Sequence, residues 1–116
     1  MTPEFDPKDT RTLRAETERL SQELRRARQR LENDTLSFED FEPVYRTEHQ
    51  PKALALAMAL QQHAPLDDPR MMMKTGDTFF SDEINMIKAS LDKETARPHL
   101  DIVLKKLRLL TSYLPR

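Results

Sequence analysis

The sequence predicts an all-α protein, a small helical bundle with an N-terminal heptad helix of coiled-coil type. The 116 residues include a single Gly, which disfavours a β-rich domain because tight turns between strands need Gly. An uncharged Ala/Leu segment occupies the middle of the chain, and Ala is the best helix former. Near the start, apolar residues recur at steps of three and four, which is the spacing of one helical face.

The composition indicates a single folded domain. Hydrophobic residues make up 37% of the chain and charged residues 34%, but the net charge is only −1, and balanced charge with clustered apolar residues favours folding over disorder. The absence of Cys excludes disulfides and thiolate metal sites. No signal peptide and no apolar run of membrane-spanning length is visible, so we expect a cytoplasmic protein without membrane contact.

Three regions follow one another along the chain. Residues 1–8 form a flexible arm, because two prolines bracket acidic sequence with few apolar residues. Residues 9–33 form the heptad helix, and residues 34–116 form a compact helical bundle that completes the domain. The preference for Arg over Lys in the first half hints at a bacterial or phage origin.

The heptad helix carries a narrow apolar seam of about two residues in seven, which is typical of a coiled-coil strand. Its members are Leu13, Thr17, Leu20, Leu24, Ala27 and Leu31.

Two arrangements would cover this seam. In a parallel homodimer, Asp9 would meet Arg14 of the other copy and Glu23 would meet Arg28, and both pairs attract. In the alternative, the helix folds back as an antiparallel hairpin with a later helix of the same chain.

The segment after the heptad helix contains aromatic residues among acids. Ser37 is a suitable N-cap for a short helix that Pro43 should end. Within it, Phe38 and Phe41 either plug one end of the central helix or form an exposed patch for a partner protein.

Residues 51–63 are predicted to form the central helix, because Pro51 suits a first helical turn and Pro65 prevents continuation. Leu54 and Met58 fall on one side of this helix, and Leu56 and Leu60 fall almost opposite. A helix with two opposed apolar sides is usually packed between neighbours, and its Ala residues permit close approach.

The remaining residues complete the bundle. A loop from His63 to Thr78 contains Met71, Met72 and Met73, which either dock a partner or fill the edge of the core. Helices are predicted over 81–92 and over 98–114, the last with a wide apolar face that packs on more than one neighbour.

The chain offers little sign of catalysis. Its three His residues are scattered, and a single Gly cannot build a phosphate-binding or dinucleotide-binding loop, so no catalytic, metal or cofactor site is predicted. The strongest charged feature is a run of arginines whose candidate phosphate contacts are Arg25, Arg26 and Arg30, although acids are interleaved with them.

These features predict a non-enzymatic protein–protein interaction module, a small homodimeric adaptor, chaperone-like protein or regulatory subunit. Its partner would be another protein whose identity the sequence does not reveal. The alternative is a small nucleic-acid-binding regulator that uses the Arg-rich first helix.

Overall fold

A computed structural model describes residues 4–63 and 86–114, and every regular element in these two stretches is helical. The helices in them are α1 (Thr10–Glu32), α2 (Phe38–Val44), α3 (Gln50–Leu60) and α4 (Ala96–Thr111). Helices α1, α3 and α4 pack against one another around a shared apolar core. The predicted all-α bundle is therefore confirmed.

The ends of α1 agree with the sequence, because Asp9 and Asn33 cap it. The Asp9 carboxylate accepts hydrogen bonds from the Thr12 hydroxyl at 2.7 Å and from the Thr12 backbone N–H at 3.1 Å. These bonds lower the pKa of Asp9. After Asn33 the chain turns at Asp34, whose φ of 58° lies in the left-handed region that commonly follows a helix and that Asp tolerates.

The heptad seam of α1 is covered within the chain itself. Its buried members are Leu13, Thr17, Leu20, Leu24 and Ala27, and Leu31 is partly buried against the same core. Helix α1 contacts both α3 and α4, so these residues form the core of one chain. A parallel homodimer along this seam would require α1 to leave the bundle, whereas the intramolecular arrangement accounts for the burial directly.

Helices α1 and α4 run antiparallel. Near the end of α1, Arg28 Nε lies 2.7 Å from Oδ1 of Asp101, which is near the start of α4. Nearer the start of α1, Thr17 shares a depression with Arg108 from the later part of α4. The Asp101 carboxylate, with a smaller contribution from Glu32, raises the pKa of Arg28.

The charges expected to pair across a dimer have other partners in this structure. Asp9 is occupied as the N-cap of α1, and Arg28 pairs with Asp101 and with Glu32. Glu23 Oε2 lies 3.7 Å from Nδ1 of His49.

Helix α2 begins as predicted but does not end where the sequence suggested. The Ser37 hydroxyl accepts a hydrogen bond from the Asp40 backbone N–H at 3.2 Å, as an N-cap does. Pro43 lies inside α2, and a π-helical turn over Tyr45–His49 joins α2 directly to α3. The prediction that Pro43 ends the helix was wrong.

Two physical effects explain the continuation. Phe41 and Tyr45 are one turn apart and both are buried, so packing stabilises the helix across Pro43. In a regular α-helix, the ring of the next proline, Pro51, would clash with the carbonyl of Thr47, four residues earlier. Thr47 lies inside the π-helical turn. The wider turn, in which the Gln50 N–H donates to the Tyr45 carbonyl, makes room for that ring.

The second described stretch is tied to α3 by the side chain of Gln50. Its amide nitrogen lies 2.9, 2.8 and 3.0 Å from the carbonyl oxygens of Ile87, Lys88 and Ala89, at the end of a helical turn over 86–88. An amide at this place satisfies carbonyls that the helix end leaves without partners.

The two later helices differ in extent from the predicted ranges. The helix predicted over 81–92 is observed only over 86–88, since 64–85 lie outside the described residues and the chain leaves the helix after 88. Helix α4 begins at Ala96, with Pro98 in its first turn, and ends at Thr111 rather than at 114.

Two histidines belong to an aromatic cluster in the core. The His49 ring lies 5.9 Å from that of Phe41, and the His99 ring meets Tyr45 edge-on at 6.5 Å. Burial lowers the pKa of both His99 and His49, although Glu23 and Glu48 oppose the effect at His49 and Lys52 reinforces it. Burial also raises the pKa of Tyr45 to about 12, so the core favours neutral side chains.

We expect the free energy of unfolding to fall as the pH drops below about 6.5, the ordinary pKa of histidine. Because burial depresses the folded-state pKa of His49 and His99, the unfolded chain binds more protons in that range. Replacing His99→Leu removes one of the two titrations and should make the decline smaller. Urea unfolding at about pH 7.5 and about pH 5.5 tests this, and equal wild-type stability at the two pH values would contradict it.

A charge swap tests the antiparallel packing of α1 on α4. Arg28→Glu should lower the free energy of unfolding, and adding Asp101→Arg should restore part of the loss because the pair is rebuilt with opposite signs. Both side chains are partly exposed, so we expect a coupling energy of about 0.5 kcal/mol in a double-mutant cycle. Strictly additive effects of the two substitutions would argue against the contact.

Candidate interaction surface

An apolar groove lies between the N-terminal arm and α3 and has a volume of about 530 Å³. We call it the arm–α3 groove. It is lined by Glu4, Phe5 and Pro7 from the arm and by Gln50, Pro51, Leu54, Ala55, Met58, Ala59 and Gln62 from the helical side. A concave apolar surface with a few polar groups is the usual form of a binding site.

The arm is held beside α3 by local contacts. His63 is the last residue of the 3₁₀ turn that follows α3. Its ring makes a short polar contact with the Pro7 carbonyl oxygen. Phe5 is partly buried against the core, and Asp9 then begins α1. Residues 4–7 of the predicted arm therefore form one wall of the groove, while residues 1–3 lie outside the described residues.

Helix α3 forms the other wall with the less covered of its two apolar sides. Leu56 and Leu60 are fully buried, as are Ala53 and Ala57. On the opposite side, Leu54 is only partly buried and Met58 is 45% exposed. Neighbouring helices were expected to cover both apolar sides of α3. Within the described residues they cover the side of Leu56 and Leu60, where α1 and α4 contact α3.

The acid on α1 that faces α3 is engaged in an ion pair. Lys52 Nζ lies 2.7 Å from Oε2 of Glu16, and this contact lowers the pKa of Glu16. Lys52 thus faces α1 and is not among the residues that line the arm–α3 groove, where Glu4 is the charged residue.

The proposed aromatic patch lies mostly inside the protein. Phe41 is 4% exposed and belongs to the core, and Phe38 is partly buried against that core. These aromatic residues pack inside the protein instead of forming an exposed patch, and Phe41 contacts Tyr45 and His49. Met71, Met72 and Met73 lie outside the described residues.

The three candidate phosphate contacts do not converge. Arg25 lines a polar depression between α1 and α4, together with Arg14 and Arg108. Arg26 and Arg30 line a different depression beside α2, which also contains acidic side chains and His49. Neighbouring residues on a helix point about 100° apart, and this separates Arg25 from Arg26.

Sequence patterns did not predict two residues that line the groove, Phe5 and Gln50. Phe5 is the apolar residue between two prolines in the acidic arm, which in retrospect is a signal that the arm packs on something. Gln50 binds carbonyls 37 to 39 residues away, and no local pattern reveals such a contact.

Three further findings bear on function. In the described part of the chain, no three His, Asp or Glu side chains group closely enough to hold a metal ion. Within residues 4–63 and 86–114, no helix combines the length and the low polarity that a bilayer crossing requires. Comparison with known proteins found no matching family model, no similar curated protein and no similar solved structure.

Proposed function

We propose that this protein is a non-enzymatic protein–protein interaction module that forms a homodimer through the arm–α3 groove. The observation that carries the proposal is the open apolar side of α3, where Met58 is 45% exposed and Leu54 is only partly covered. Exposed apolar side chains beside a concave groove favour contact with another apolar surface over contact with water.

The shape of the exposed side suits another helix. Pro51, Leu54, Ala55, Met58 and Gln62 follow one stripe along about three turns, roughly 16 Å at 1.5 Å per residue. The larger side chains of Leu54 and Met58 stand beside the small side chains of Ala55 and Ala59. A second helix could place its own large residues against the alanines, and small residues let two helix backbones approach closely.

A second copy of the chain is the occupant that this surface favours. In a two-fold dimer the same patch meets itself, so large residues must face small ones and like charges must be few. The stripe meets both conditions, since it alternates Leu or Met with Ala and its helical residues carry no charge. Glu4 stands on the arm, away from the helical stripe.

A homodimer of this kind suits a small adaptor, chaperone-like protein or regulatory subunit, which acts through its surfaces. The covered side of α3 would hold the fold together while the open side joins the copies. The heptad seam of α1 would then serve the core of each copy rather than the interface between them.

The alternative, nucleic-acid binding along the first helix, has weaker support. It requires Arg25, Arg26 and Arg30 to act on one backbone, but they line two depressions on different sides of α1. Acidic residues, Glu23 and Asp40 among them, also line the depression that contains Arg26 and Arg30.

Met58→Glu should convert a dimer into a monomer. The native protein is expected to show twice the 13.6 kDa mass of one chain by analytical ultracentrifugation. A carboxylate in an apolar interface loses its water, so the dissociation constant should rise at least about thirtyfold, which corresponds to about 2 kcal/mol.

Ile102→Glu is the matched control, because Ile102 is 37% exposed on α4 and does not line the groove. This variant should stay dimeric, and circular dichroism should show both variants folded. A native protein that is monomeric at high micromolar concentration, or a Met58→Glu variant that remains dimeric, would contradict the proposal.

A further inference from the structure

A second concave surface lies between α1 and α4, on a different part of the molecule from the arm–α3 groove. We call it the α1–α4 pocket, and its volume is about 410 Å³. Three arginines line it: Arg14 and Arg25 from α1, and Arg108 from α4. The whole chain has a net charge of −1, so this local concentration of positive charge is not a general property of the surface.

The antiparallel register of the two helices brings these arginines together. Ser21 lies seven residues before Arg28 on α1, and Arg108 lies seven residues after Asp101 on α4. Because Arg28 and Asp101 are in contact at 2.7 Å, Arg108 stands opposite Ser21. Ser21 is four residues from Arg25 on the same stripe of α1, so Arg25 and Arg108 approach the pocket from its two walls.

Hydroxyl groups line the pocket beside the arginines. Ser21 and Thr111 contribute two of them, and the Thr111 hydroxyl donates to the Leu107 carbonyl at 2.7 Å. Thr17 contributes a third and is 3% exposed; its oxygen has no hydrogen-bond partner in the described part of the chain. A buried hydroxyl without a partner destabilises the protein, and a hydrogen bond to a bound ligand would remove that penalty.

One acid is also present and limits the net charge. Glu18 lines the pocket, and its Oε1 lies 3.5 Å from Nε2 of Gln22, one turn further along α1. The guanidinium groups of Arg25 and Arg108, taken without Arg14, still outnumber this one carboxylate and leave a positive site.

We infer that the α1–α4 pocket binds a phosphate-bearing ligand, with Arg25 and Arg108 as its principal contacts. Guanidinium groups donate paired hydrogen bonds that match the oxygens of a phosphate, and the hydroxyls of Thr17 and Ser21 are further donors. Donors from two opposed walls suit a tetrahedral dianion better than a planar carboxylate, which a single guanidinium can satisfy. This inference does not depend on the proposed homodimer.

Inorganic pyrophosphate is the probe for the first test, by calorimetric titration of the full chain at low salt. The wild-type protein should bind it saturably. Arg25→Gln and Arg108→Gln should each weaken binding about tenfold or more, since a charge-assisted hydrogen bond contributes at least that factor. Both side chains are exposed, so neither substitution should disturb the fold.

Arg26→Gln is the matched control. It removes the same charge from the neighbouring position of the same helix, but Arg26 lines the other depression. Its affinity for pyrophosphate should remain within about twofold of wild type, because only diffuse attraction is lost. No saturable binding by the wild-type protein, or equal weakening by Arg26→Gln and Arg25→Gln, would overturn the inference.

A second arm of the experiment distinguishes the source of the phosphate. A short DNA duplex that competes with pyrophosphate, with an affinity that falls steeply with salt, would identify a nucleic-acid backbone as the ligand. Pyrophosphate binding without such competition would identify a small phosphorylated molecule. Both results support the pocket as a phosphate site.

Discussion

The structure depends on the burial of one side of the Ala/Leu-rich helix α3. Leu56 and Leu60, with Ala53 and Ala57 beside them, are fully buried where α1 and α4 meet α3. Only 37% of the chain is hydrophobic, so a core of this size needs close packing of its apolar residues. The alanines provide it, because small side chains bring helix backbones together. The narrow seam of α1 can then be covered without a second chain.

The other surfaces follow from this arrangement. Once α1 and α4 have approached α3 from one side, its opposite side is left to the arm, and the arm–α3 groove results. The antiparallel course of α1 and α4 creates the second depression, which Arg25 lines from α1 and Arg108 lines from α4. One surface is apolar and the other is lined by arginines, so the protein presents two chemically different concave surfaces. We propose the first for self-association and the second for phosphate.

Local sequence signals predicted much of the fold. Ser37 was recognisable as a cap, and the apolar spacing predicted the ends of α1 and α4 to within about three residues. The prediction that Pro43 ends α2 was wrong because the burial of Phe41 and Tyr45 outweighs the tendency of proline to end a helix. That burial is a tertiary effect. The side of α3 that stays open could not be predicted, since Leu54/Met58 and Leu56/Leu60 are equivalent in the sequence. The position of Arg25 and Arg108 in one pocket depends on helix register, which periodicity alone does not give.

We propose that α3 uses one side to fold and the other to contact a second copy of the chain. Because the chain has no Cys, Gln62→Cys at the edge of the groove can carry a single spin label. The spin-labelled protein would be mixed with ¹⁵N-enriched protein that carries no spin label. The amide signals of the ¹⁵N-enriched copy would then be measured by NMR. We expect the strongest broadening at Leu54, Ala55 and Phe5, around the groove. The absence of broadening, or its strongest effect along α1, would contradict the claim.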